Sequence, residues 1–204
     1  MTTKGNLYIV SAPSGAGKTS LLKALTTKDD AILTSISSTT RLIRKGEVNN
    51  VDYHFVSIEE FNRLIEQGDF LEHAEVFGNF YGTSKNRLNE ALIQGNDLVL
   101  EIDWQGAQQI RERLPEAISI FILPPSRDEL ANRLTGRGQD NADIIEKRMS
   151  SAIEEISHYN EYDFLIINDD FDIALSDLES IIKAHRLVQT KQSDANQQLI
   201  SDLL

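Results

Sequence analysis

The stretch S-A-P-S-G-A-G-K-T at 11–19 constrains this 204-residue chain more than any other, because of what lies on either side of it. The apolar run L-Y-I-V (7–10) precedes it and S-L-L-K-A-L (20–25) follows, an order that reads as strand, glycine-bearing loop and helix. Gly15 and Gly17 let the loop curl with its N–H groups turned inward, and the helix behind it adds the positive end of its dipole. A loop of this kind cradles phosphate. Lys18 can reach the outer phosphates, and the Thr19 hydroxyl is placed to hold Mg²⁺. The general pattern G-x-x-x-x-G-K-[ST] has its first glycine replaced here by Ala12.

A net charge of −12, from 20 Lys and Arg against 32 Asp and Glu, argues against a nucleic-acid polymer or an anionic membrane as partner. It leaves room for a small phosphate ligand, since a few arginines converging in a cleft can dominate the local potential. The chain has no cysteine, which excludes a disulfide framework and thiol chemistry and fits a reducing compartment. The N-terminus passes almost at once into a strand and no apolar run reaches bilayer length, so the protein reads as cytoplasmic.

Taken in order, 31–37 reads as a second strand, followed by T-T-R-L-I-R-K-G-E (39–47), either an anion site on a loop or a solvated basic turn. From 38 to 89 the character changes. A short strand at 53–56, a capping box of Ser57 and Glu60 opening a helix that ends near Gly68, and a hairpin of 70–77 with 80–83 describe a strand-rich inserted lobe of the kind that covers a ligand. Ser84 then caps a helix that stops at Gly95. The segment 97–103 is a buried parallel-type strand with Glu101 and Asp103 at its carboxyl end, where open α/β sheets bind ligands. A carboxylate there can orient Mg²⁺ and its waters, although Asp103 can equally cap the next helix.

A strand at 119–123 is followed by a second capping box, Ser126 with Glu129, and a helix running through Arg133 to Gly136. After the polar loop 137–140 a helix runs from Asn141 to about Tyr159, with Ile145, Met149, Ala152, Ile153 and Ile156 as its apolar face and Arg148 and Glu154 turned away from it. Arg133, Arg137 and Arg148 thus bracket a hinged loop fit to close over a triphosphate, unless they only decorate a helical hairpin. A last strand at 164–167 leads into a helix to about 187. The tail is polar except for Leu199, Ile200, Leu203 and Leu204, which can dock on the body or on another subunit, or fray. The four histidines, His54, His73, His158 and His185, lack metal-ligand spacing and read as structural.

The ordered set S-A-P-S-G-A-G-K-T, T-T-R-L-I-R-K-G-E, F-L-E-H-A-E-V-F-G-N-F-Y-G-T, E-I-D-W-Q-G, G-R-G-Q-D and N-D-D-F-D resembles guanylate kinase of the bacterial type. The resemblance implies an α/β fold of the P-loop nucleoside monophosphate kinases: a parallel sheet core flanked by helices, with a small strand-rich GMP-binding lobe and an ATP lid. It implies a domain over 5–184, with core segments 5–37 and 90–187, the lobe at about 38–89, the lid at about 133–148 and a tail at 188–204. The implied reaction is transfer of the γ-phosphoryl group of ATP to GMP with Mg²⁺, and a homo-oligomer is left open.

By position, the resemblance gives ATP to Ala12, Pro13, Ser14, Gly15, Ala16, Gly17, Lys18 and Thr19, with Arg133, Arg137, Arg148 and Asn168. It gives GMP to Ser37, Arg41, Arg44, Tyr53, Glu72, Tyr81, Thr83 and Asp103, and the metal to Thr19 and Glu101, partly through water. Lys18, Arg41, Arg137 and Arg148 become the catalytic charges. Glu101 stands where the family has Asp. Guanine chemistry agrees with the carboxylates, because N1–H and the N2 amine are donors that Glu72 can accept, whereas adenine N1 is an acceptor. Two other readings compete: a non-catalytic guanylate-kinase-like binding domain, and a kinase for another nucleoside monophosphate such as AMP or UMP.

Overall fold

The computed structural model describes residues 4–76, 78–135 and 142–204. Its centre is a five-stranded parallel sheet in the order β2-β7-β1-β8-β9, made of β1 (Leu7–Ser11), β2 (Ile32–Thr34), β7 (Asp97–Glu101), β8 (Ile118–Leu123) and β9 (Phe164–Ile167). The continuous apolar runs exist because this sheet is covered on both faces, and the two-residue period of a strand sends alternate side chains to each. Tyr8 and Val10 face α1 (Lys18–Lys28) and α7 (Phe171–Arg186), packing with Leu21, Leu22, Leu25, Leu175 and Leu178. Leu7 and Ile9 face α3 (Lys85–Ile93) and α4 (Trp104–Arg113), packing with Leu88, Leu92, Ala107 and Ile110.

A second sheet, in the order β4-β3-β6-β5, is inserted between β2 and α3. It contains β3 (Ser38–Thr39), β4 (His54–Phe55), β5 (Phe70–Val76) and β6 (Asn79–Ser84), with α2 (Ile58–Glu66) packed on it through Phe61, whose ring lies 4.6 Å from that of Phe70. The strand expected over 31–37 is therefore shorter: only Ile32–Thr34 pairs with β7, and Ser38–Thr39 already belongs to the other sheet.

Two capping boxes close only halfway. Ser57 and Ser126 each accept from the N–H three residues on, at 3.1 Å, but Glu60 and Glu129 turn instead to Arg63 and Arg133, which offer charge-assisted bonds one turn further along. Ser84 stands at the N-cap of α3 without a side-chain bond to it. Beyond the core, α5 (Arg127–Thr135) and α6 (Ala142–Ser157) pair through Leu130, Leu134, Met149, Ala152 and Ile156, while Ile153, expected on that face, is exposed. The tail forms α8 (Gln189–Ala195) and α9 (Gln197–Leu203), and Leu199, Ile200, Leu203 and Leu204 remain exposed. No helix among the described residues is long and apolar enough to cross a membrane.

Candidate active site

A cleft of about 340 Å³ opens between the carboxyl ends of β1 and β7 and the face of the second sheet. One wall is the loop from β1 to α1: Ala12, Pro13, Ser14, Gly15, Gly17, Lys18 and Thr19 line the space, and Ala16 is buried beneath them. Gly17 sits at φ 93, and a Cβ there would come within 2.4 Å of the Asn168 amide nitrogen, so both conformation and space demand glycine. Asn168 is 5% exposed and donates to the Ala16 carbonyl at 2.7 Å, while its own carbonyl accepts from both terminal nitrogens of Arg133 at 3.2 Å. These two residues thus brace the loop from behind, and neither lines the cleft.

Lys18 donates from Nζ to the Ile102 carbonyl at 3.3 Å, which carries its charge across the mouth of the loop. The Thr19 hydroxyl donates to Glu101 Oε1 at 2.6 Å. Hydroxyl and carboxylate oxygens side by side are donors that suit a hard cation such as Mg²⁺. No cluster of three or more His, Cys, Asp or Glu fit for a metal occurs among the described residues.

The opposite wall carries carboxylates and tyrosines. Glu72, on β5, is 2% exposed and accepts from the Thr83 hydroxyl of β6 at 2.6 Å. Burial, and then the charge of Asp103, push the Glu72 carboxyl up to about 7, against the downward pull of the Thr83 bond. Thr83 is buried behind Glu72 and does not itself reach the cleft. Asp103 has both roles open to it at once: Oδ1 caps α4 by accepting from the Gly106 N–H at 2.9 Å, and the residue lines the cleft. Its pKa too is raised, by burial first, with the Gly106 N–H and Lys18 pulling it back.

Ser37, Tyr53 and Tyr81 complete this side, the two tyrosine rings meeting edge-on at 6.0 Å. Arg41 lies 5.3 Å from the Tyr53 ring and is gripped by Glu47 in a two-pronged ion pair at 2.7 and 3.0 Å. The same Glu47 accepts from the Arg44 backbone N–H at 2.8 Å, and the Arg44 side chain is exposed. Of the arginines expected in a lid, Arg137 lies outside the described residues. Arg148 donates to the Ser14 hydroxyl at 3.2 Å.

One lining residue escaped the sequence reading. Glu155 accepts from the Ser14 N–H at 3.1 Å, inside the phosphate loop, and burial raises its pKa while Lys18 and the Ser14 bond lower it. The sequence carries only part of the signal: Glu155 follows Arg148 by seven residues, two helical turns, which puts both on one face of α6, and the fold brings that face to Ser14.

A parallel sheet with a glycine loop at the end of its central strand, and a carboxylate-bearing wall across the cleft, defines a nucleotide-binding α/β protein of the phosphate-loop class. The family profile described as Guanylate kinase matches residues 4–185. Guanylate kinase from Shewanella oneidensis is 58% identical over 205 residues, covering 100% of this chain and 99% of that protein. Guanylate kinase from Pseudomonas fluorescens is 60% identical over 200 residues, covering 98% and 97%. The crystal structure of guanylate kinase from Anaplasma phagocytophilum superposes with a TM-score of 0.76 at 37% identity, covering 93% of this chain and 90% of that one. The chain belongs to the guanylate kinase family.

Proposed function

We infer that the enzyme, which transfers the γ-phosphoryl group of ATP to GMP to give ADP and GDP, works by positioning and charge within this one cleft. The observation that carries the reading is the placement of a glycine-bearing loop with Lys18 and a buried carboxylate, Glu72, on opposite walls of a single space. The loop N–H groups and Lys18 would receive the donor phosphates, with Arg148 reaching them from α6, and Arg137 assigned with it from the sequence alone. Glu72 and Asp103, backed by Thr83 and flanked by Ser37, would read guanine through its N1–H and N2 donors. Arg41, Tyr53 and Tyr81 would hold the acceptor phosphate, with Arg44 beside them. In this reading the second sheet acts as the acceptor lobe and the segment 133–148 as the lid.

No general base is required. The second pKa of a phosphate monoester is about 6, so the attacking oxygen of GMP is largely anionic at neutral pH. The obstacle is the approach of two polyanions, and the cationic side chains offset that repulsion while fixing donor and acceptor in line. Thr19 and Glu101 would hold Mg²⁺, which supplies charge neutralisation on the donor phosphates when bound. This reading assigns the enzyme to the cytoplasm. The test is a coupled assay of ADP formation with GMP, AMP and UMP as acceptors. The expected kcat/KM for GMP exceeds that for AMP by about 10⁴-fold or more, since a site built of carboxylate acceptors pairs the guanine donors and leaves the adenine N1 acceptor unpaired. Similar values, or no GMP-dependent turnover, would refute it.

A further inference from the structure

We propose that Gly106 is a positioning residue for guanine recognition: by having no side chain it leaves the place that the Glu72 carboxylate occupies, and by its N–H it fixes Asp103. The proposal rests on the assignment of Glu72 to the base.

Gly106 is the third residue of α4 and is buried. Glycine is among the least favoured residues in a helix, so its presence there calls for a local reason. Backbone conformation is not that reason, because Gly106 is absent from the glycines with positive φ. Space is. A Cβ built on Gly106 would lie 2.8 Å from Glu72 Oε2, 3.3 Å from its carboxyl carbon and 3.4 Å from Asp103 Oδ1. A contact with the end of a long side chain is ordinarily relieved by a small rotation. Here a rotation is costly, since Glu72 is 2% exposed and its other carboxyl oxygen is tied to the Thr83 hydroxyl at 2.6 Å. A methyl group must either rotate the carboxylate off Thr83 or drive it into the cleft, and both displace the acceptor pair that faces N1–H and N2. The N–H of the same residue meanwhile holds Asp103 Oδ1 at 2.9 Å. Both carboxylates assigned to the base therefore meet one helical residue that does not itself line the cleft.

The experiment compares Gly106→Ala with the unmodified protein, alone and in a Glu72→Ala background. By calorimetry the GMP Kd should rise about ten- to a hundredfold, the loss of a charged hydrogen bond. The KM for ATP and the kcat at saturating GMP should stay within about twofold, a split that general loosening of the fold would not produce. Melting without ligand reads the contact itself. Gly106→Ala should lower the midpoint when Glu72 is present. It should raise the midpoint by about 2–4 °C when the carboxylate is gone, the ordinary gain of alanine over glycine in a helix. Equal GMP affinity in the two proteins, or stabilisation in both backgrounds, overturns the proposal. If the unmodified protein bound no GMP, the base assignment itself would fall, and the ligand-free melting pair would still decide the Gly106 contact.

Discussion

Raising the pH from 6 to 8 should tighten GMP binding about tenfold through Glu72 alone. Its carboxyl is pushed up to about 7, by burial first and by Asp103 second. Only the ionised form accepts from both guanine donors; the protonated form turns an O–H toward N1–H. At pH 6 about nine-tenths of the free enzyme holds the proton, and at pH 8 about one-tenth does, which sets the size of the change. The second phosphate ionisation of GMP, near about 6, adds a trend of the same sign. Calorimetry across this range with wild type and Glu72→Gln separates the two, because the variant keeps only the phosphate contribution. Superimposable pH profiles for the two proteins would refute the reasoning.

The same group makes an opposite prediction for stability. An ordinary glutamate gives up its proton near 4.5, while Glu72 in the folded chain keeps it to about 7. Between those values the folded state binds more protons than the unfolded state, so stability falls as pH rises through the window. The cost is about 3 kcal/mol by pH 8. Glu72→Gln removes that cost while its amide oxygen can still accept from Thr83. The variant should therefore be the more stable protein above pH 7 and the poorer GMP binder, measured by urea unfolding and calorimetry on the same samples. A variant less stable than wild type at pH 8 would mean that the carboxylate is not desolvated as the buried position requires.

Lys18→Ala should lower kcat/KM by about 10²–10³-fold with an unchanged melting midpoint, because it removes charge from the phosphate path and little packing; near-normal turnover refutes this. Glu155→Gln should tighten ADP binding by about fivefold, since a carboxylate on the Ser14 N–H opposes incoming phosphate charge; unchanged or weaker binding counts against that competition. Asn168→Ala should destabilise the fold by about 1–3 kcal/mol and raise the KM for ATP more than that for GMP, because the Ala16 carbonyl loses its buried donor. A change in preference between ATP and GTP with the loop intact would instead return Asn168 to the adenine.

What was legible in the sequence was what local pattern dictates. The apolar run before the glycine loop and the strand expected over 97–103, which pairs as Asp97–Glu101, follow from short continuous apolar runs, and the hairpin of 70–77 with 80–83 from its turn residues; each forms near its expected place. The resemblance supplied the residues of the second wall, Ser37, Tyr53, Glu72, Tyr81 and Asp103, and all five line the cleft. Illegible were choices among competing partners, which only the folded neighbourhood decides. Glu60 and Glu129 fit a capping pattern, yet each finds an arginine one turn away and takes the stronger bond. The sequence likewise did not show that Asn168, assigned to the adenine, donates to the Ala16 carbonyl beside the left-handed turn at Gly17, or that Arg133, assigned to the lid, donates to the Asn168 carbonyl.

Glu155 shows the limit most clearly. Its spacing from Arg148 marks a shared face, but nothing in the sequence says that this face meets the phosphate loop. That depends on α5 and α6 packing through Leu130, Leu134 and Ala152, a contact set by small and branched side chains far from any charged motif. The loop proposed to receive the donor is consequently tied to α6 through Ser14: its N–H donates to an anion, Glu155, and its hydroxyl accepts from a cation, Arg148. A phosphate entering the loop competes with the first and is attracted by the second, so the anion must yield where the cation can stay. If the proposed donor site is right, donor binding and the seat of α6 belong to one equilibrium, and a change at Ser14 should register in both ADP affinity and the melting midpoint.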